Sequence, residues 1–140
     1  MIRSRRLPGA VGARIETLGR ALERCPGVEF AYLFGSAAAG RLTALSDVDV
    51  AIYLGEGTDL VEGRLAAIGA LTAHLKTDEV DVIVLNSAPT SLAGRVLMTR
   101  RVILDRNPYL RHRYESLALR EFWDFRLLEH RHFAWRFGRG

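Results

Sequence analysis

Tyr32-Leu33-Phe34-Gly35-Ser36, then ten residues, then Asp47-Val48-Asp49-Val50-Ala51-Ile52 form two apolar runs on either side of a Gly-Ser stop. The apolar, aromatic run Glu29-Phe30-Ala31-Tyr32-Leu33-Phe34 reads as a buried strand that stops abruptly at Gly35-Ser36. Ala37, Ala38, Ala39 and Gly40 suit a short helix or a tight loop. From Asp47 to Tyr53 apolar and other residues alternate with period two, the mark of a second strand. On that strand Asp47 and Asp49 project from one face, while Val48, Val50 and Ile52 point the other way, into the core.

Before the first strand, Ile15, Leu18, Leu22 and Cys25 recur at helical spacing, so residues 10–25 read as an amphipathic helix stopped by Pro26-Gly27. Gly55 and Gly57 mark a turn, and Thr58 is placed to cap a helix over 59–76 whose Val61, Leu65, Ile68 and Leu75 share a face. Val80-Asp81-Val82-Ile83-Val84-Leu85 reads as a strand. Pro89 suits the first turn of a short helix reaching Thr99, and Arg101-Val102-Ile103-Leu104 is a short last strand. Asn107 as cap and Pro108 at the first helical position launch a long helix to about residue 135. The order α-β-(α)-β-α-β-α-β-α indicates an α/β sandwich: one mixed sheet of about four strands with flanking helices and a long C-terminal helix. Residues 1–140 read as a single domain with 1–8 as a flexible tail.

Composition narrows the function classes. Hydrophobic residues make up 49% and charged residues 26% of the chain, ordinary values for a globular protein. No apolar run approaches the ~20 residues that cross a bilayer, and the basic start Met1-Ile2-Arg3-Ser4-Arg5-Arg6 lacks the apolar core of a secretory signal. A cytoplasmic location is the expectation. Cys25 is the only cysteine, which excludes an internal disulfide and a cysteine-rich metal site. Of the 20 basic residues only Lys76 is not arginine, and the net charge is +4. Solvated surface charge accounts for that balance; a nucleic-acid partner stands as a rival that the fold pattern does not require.

Two carboxylates held two apart on a strand repel unless a cation lies between them, and oxygen ligands in that arrangement suit Mg²⁺. Alone, an Asp-x-Asp pair is as often a solvated strand end. A strand that stops at Gly-Ser presents backbone N–H groups and a hydroxyl, an anion cradle that a Cβ would intrude upon. Four fixed positions at this spacing match by chance in about one chain of this length in 500. Asp81 is a lone charge in an apolar strand; either it lies exposed at the strand's start or it has a ligand.

Phe34-Gly35-Ser36, Gly40 and Ser46-Asp47-Val48-Asp49 resemble the signature of the polymerase-beta-type nucleotidyltransferase superfamily. The whole chain, through Arg120-Glu121-Phe122-Trp123-Asp124-Phe125-Arg126, is similar to the minimal nucleotidyltransferase (MNT) antitoxins paired with HEPN toxins in prokaryotic toxin–antitoxin operons. The resemblance implies a nucleotidyltransferase-like fold and the transfer of AMP from ATP, with release of pyrophosphate, to a tyrosine of a HEPN ribonuclease. It makes Asp47, Asp49 and Asp81 the ligands of two Mg²⁺ ions and the catalytic carboxylates, with Gly35, Ser36 and Ser46 holding the nucleotide. The implied partners are the HEPN toxin and ATP, with no membrane and no direct nucleic-acid binding. Two alternatives stay open: an antitoxin that neutralises by binding alone, and a transferase acting on a small molecule of the aminoglycoside type.

The C-terminal segment points to a partner on its own account. Phe122, Trp123, Phe125, Phe133, Trp135 and Phe137 are six of the chain's twelve aromatic residues, and one helix face can bury about half of them. The rest, mixed with Arg126, Arg131, Arg136 and Arg139, have the composition of interface hot spots. His112, His130 and His132 read as solvated positions rather than metal ligands.

Overall fold

The apolar run ending at Gly35 forms β1 (Val28–Phe34), the strand on which the sheet is assembled. A computed structural model describes residues 16–38, 40 and 47–137, with side chains through residue 135. The other elements are α1 (Leu18–Leu22), β2 (Val48–Leu54), α2 (Leu60–Leu75), β3 (Val80–Val84), a 3₁₀ turn (Leu85–Ser87), α3 (Thr90–Thr99), β4 (Arg101–Asp105) and α4 (Pro108–Phe137). The expected flexible tail at 1–8 and the first part of the helix expected over 10–25 lie outside the described residues.

The sheet runs in the order β3-β2-β1-β4. β1 pairs antiparallel with both β2 and β4, whereas β2 and β3 pair parallel. A parallel pair needs a long crossover, and α2 supplies it. The mixed four-stranded sheet with flanking helices is the architecture expected from the sequence.

Period-two alternation divides the core into two layers. Val48, Val50, Ile52 and Leu54 of β2 join Leu33 and Val82 against Leu18 and Leu22 of α1 and Ala67, Leu71 and Leu75 of α2. On the opposite face Phe30, Tyr32 and Ala51 pack with Val96 and Leu97 of α3 and Ala118 of α4. There Phe30 stacks on Tyr53 with ring centroids 4.9 Å apart, and Tyr114 closes on Tyr53 at 5.3 Å. Burial of each Val, Leu, Ile or Phe among these stabilises the fold by roughly 1.5–3 kcal/mol.

The caps explain where helices start. Asn107 Oδ1 accepts the N–H of Leu110, as the sequence predicts. For α2 the expected cap, Thr58, is displaced by its neighbour: Asp59 Oδ1 accepts the N–H of Glu62 at 2.9 Å. The backbone N–H of Thr58 closes the preceding turn on Gly55 O. Pro89 is the residue before α3 rather than within its first turn, and its carbonyl accepts from Ala93 N.

A charged cluster fastens α4 to the sheet. Glu115, only 7% exposed, accepts from Tyr32 Oη at 2.6 Å and from Arg111 Nη1 at 2.9 Å, and pairs with Arg100 Nε at 3.3 Å. Arg111 Nε also donates to Asp105 Oδ2 at 2.8 Å. Further along α4, Phe122 is buried against α3 where Gly94 leaves room for its ring. Beyond Phe122 every side chain described is exposed. With a rise of ~1.5 Å per residue, the last four turns carry Phe125, Leu128, Phe133 and Trp135 clear of the sheet.

Candidate active site

The site forms at one end of the sheet, where β1 stops. Gly35 follows the last residue of β1 with φ +75°, a left-handed conformation that disfavours any side chain. Its N–H donates to the hydroxyl Oγ1 of Thr99, the last residue of α3, at 3.1 Å. A Cβ built on Gly35 would lie 2.8 Å from Asp49 Oδ2, so the bare backbone of the turn rests directly beside that carboxylate. Residues 35–38 and 40 form a turn rather than a helix, settling the choice that the small residues left open.

Sheet register aligns the acidic residues. Phe34 of β1 pairs with Asp49 of β2, and Asp49 pairs with Asp81 of β3. Asp47, Asp49, Ala51 and Tyr53 share the face that carries Tyr32, and Val48, Val50 and Ile52 enter the other layer, as the alternation predicts. Asp49 is half-buried, while Asp47 and Asp81 are exposed. Asp81 is the second residue of an edge strand, which answers its apparent isolation in the sequence: its charge is not buried. Burial first, then the charges of Asp81 and Asp47, push the Asp49 carboxyl up to about 6. A like-charge cluster beside a half-buried carboxylate is the electrostatic situation that a divalent cation relieves. Among the described residues no three His, Cys, Asp or Glu side chains converge closely enough to hold one ion unaided. The donor set of carboxylate oxygens nonetheless fits Mg²⁺, which completes its shell with water and substrate phosphate.

Ser36 lies next to Gly35 on the same turn and is partly exposed. Ser46, the remaining nucleotide-binding residue expected from the sequence, lies outside the described residues. Thr99 escaped sequence reasoning because it is 64 positions from Gly35 and has no motif of its own. His112 is exposed beside Arg111 on α4, and His130 and His132 are exposed on its far turns.

A family model, polymerase beta nucleotidyltransferase, matches residues 16–109, more than half of the sequence. The chain belongs to this nucleotidyltransferase family. Solved structures of the same fold include a toxin–antitoxin with AMP-PNP, 24% identical, with a TM-score of 0.63 and 88% of this chain and 93% of that one covered. A mutant of the toxin–antitoxin MntA-HpeT is 26% identical, with a TM-score of 0.61 over 82% and 88% of the two chains. The MNT antitoxin complex of a tri-AMPylated HEPN toxin from Shewanella oneidensis is 23% identical, with a TM-score of 0.56 over 82% and 86%. No curated protein matches in sequence. In this nucleotidyltransferase, no helix among the described residues is long and apolar enough to cross a membrane.

Proposed function

We propose that this nucleotidyltransferase transfers AMP from ATP to a hydroxyl of a HEPN toxin and acts as its antitoxin. One observation carries the reading: Asp49 lies between the Gly35 turn and Asp81, so an anion cradle and a carboxylate cluster meet at one end of the sheet. Family membership and the toxin–antitoxin structures of the same fold support it.

Asp47, Asp49 and Asp81 would hold Mg²⁺, two ions in the full site, which supply charge neutralisation at the entering and leaving oxygens when bound. The Ser36 hydroxyl and turn amides beyond Gly35 grip the terminal phosphates, with Ser46 assigned to the same nucleotide. Asp81, exposed on the edge strand, is open to an incoming acceptor and takes the proton of its hydroxyl. The acceptor oxygen forms a bond to the α-phosphorus, the bond to the bridging oxygen breaks, and pyrophosphate leaves. Holding these groups in line accounts for most of the rate.

The exposed aromatic stretch of α4 favours a protein acceptor over a small molecule. Trp123, Phe125, Phe133 and Trp135 are 40–67% exposed and sit among arginines on a helix that has left the sheet. The same stretch favours a second reading, in which binding alone neutralises the toxin. Mixing the protein with ATP, Mg²⁺ and the product of the neighbouring reading frame, followed by intact mass measurement, separates the two. Adducts of AMP mass are expected on the partner; a partner bound but unmodified rejects the transferase and leaves the binding reading.

A further inference from the structure

Thr99 occupies a position that its surroundings make chemically unusual. It ends α3, it is exposed, and its Oγ1 accepts the N–H of Gly35, the first amide of the turn that faces Asp49. A backbone N–H bound to a hydroxyl is no longer free to meet a phosphate. The hydroxyl, however, is both acceptor and donor, so after receiving Gly35 it still has its own proton to give. The donor lost from the turn reappears one bond further out, on a side chain.

We infer that Thr99 is a phosphate-binding residue of the cradle, fixing Gly35 through its oxygen and offering its proton to a phosphate oxygen of the bound nucleotide. The inference rests on the transferase reading above. The end of a helix ordinarily repels anions, because its last carbonyls carry partial negative charge. Here Arg100 Nη1 donates to Leu97 O at 2.8 Å, covering one of those carbonyls with a guanidinium. Glu115 holds the same guanidinium from the other side at 3.3 Å. The Arg100 contact offsets part of the negative end of α3. The hydrogen bond also does positional work: a bond across 64 residues ties the β1 turn to α3, and Gly35 in turn touches Asp49.

The experiment compares the wild-type protein with Thr99→Val, which keeps the shape and removes the hydroxyl, and Thr99→Ser, which keeps the hydroxyl. Binding of AMP-PNP with Mg²⁺ is read by calorimetry, and KM for ATP and kcat are read in the transfer assay with the partner. Thr99→Val is expected to weaken Kd and raise KM by about tenfold or more, the loss of a hydrogen bond to a charged group, with kcat within about twofold. Thr99→Ser is expected to stay within about threefold of wild type in both. A Thr99→Val protein with wild-type Kd and KM overturns the inference, as does a Thr99→Ser protein that behaves like Thr99→Val, since that would assign the effect to the methyl group. Melting curves guard against misfolding, and Thr99→Ala replaces Thr99→Val should the latter not fold. Wild-type protein that binds no nucleotide rejects the transferase reading and this residue's role together; wild type that binds as tightly as Thr99→Val rejects the role alone.

Discussion

Replacing Asp49 with asparagine should stabilise the metal-free protein at neutral pH while abolishing transfer. In the native state burial and the charges of Asp81 and Asp47 raise the Asp49 carboxyl from its ordinary 3.8 to about 6. Because the folded pKa lies above the unfolded one, the native state retains a proton that the unfolded chain has lost between those values. Stability therefore falls as pH rises through that window, and the deficit is complete above about pH 6. At 1.36 kcal/mol per unit the shift corresponds to about 3 kcal/mol, and screening of a carboxylate that is only half-buried reduces this to roughly 1.5 kcal/mol. For a chain of this size that is about 3–6 °C in melting temperature. The assay is thermal unfolding of wild type and Asp49→Asn in a chelator, at pH 4 and pH 7.5. The asparagine variant should melt higher at pH 7.5 and close to wild type at pH 4. Mg²⁺ should then raise the wild-type melting temperature and leave the variant unmoved. A variant that melts at or below wild type at pH 7.5, or a difference that ignores pH, would refute the claim that Asp49 is held in uncompensated repulsion.

Glu115→Ala should destabilise the fold by about 3 kcal/mol, read by denaturant unfolding, because it strands Arg111 and the Tyr32 hydroxyl in a buried setting. Gly35→Ala should abolish transfer and weaken nucleotide binding at least tenfold, since the new methyl meets the Asp49 carboxylate on a backbone with φ +75°; a calorimetric titration with AMP-PNP checks it. Deleting residues 124–140 should leave the melting temperature within about 2 °C of wild type, because no side chain described from 124 onward is buried. The same deletion should abolish co-purification with the toxin partner.

The fold was legible wherever hydrophobic period and turn chemistry agreed. The alternation in Asp47–Tyr53 told which side chains enter the core, and the Gly35-Ser36 stop located the end of β1 to the residue. What could not be read were choices between neighbours. Thr58 and Asp59 are both cap residues next to each other, and the structure places the cap on Asp59, the stronger of the two types. For Asp81 the sequence left open exposure at the strand's start or a ligand, because a run of β-branched residues does not announce that its strand lies at a sheet edge; the structure shows it exposed there. The carboxylate row was visible as a motif, but its alignment needed the register of Asp49 with Asp81. The cluster around Glu115 was invisible, because its members come from β1, β4, α4 and the residue that follows α3.

Glu115 and Asp49 share the sheet face that α3 and α4 partly cover, and the contrast between them argues for where the ligand belongs. Burial pushes Glu115 up, yet hydrogen bonds from Tyr32 and Arg111 and the charges of Arg100 and Arg111 outweigh it and hold its carboxyl below the ordinary range. Burial pushes Asp49 up as well, and there the nearest charges, Asp81 and Asp47, push it further. Among the described residues, one acid thus receives a full set of cationic and hydroxyl partners, and the charges that act on the other are more acids. Had selection acted on stability alone, the arginines so abundant in this sequence offer a ready remedy at Asp49. A raised carboxyl with no cationic partner among the described residues costs stability in the free protein, and a cost of that kind persists where a ligand provides the missing charge. The compensation at Asp49 is therefore expected from a bound cation with its nucleotide, which makes the Mg²⁺ and pH dependence of unfolding a test of function as much as of fold.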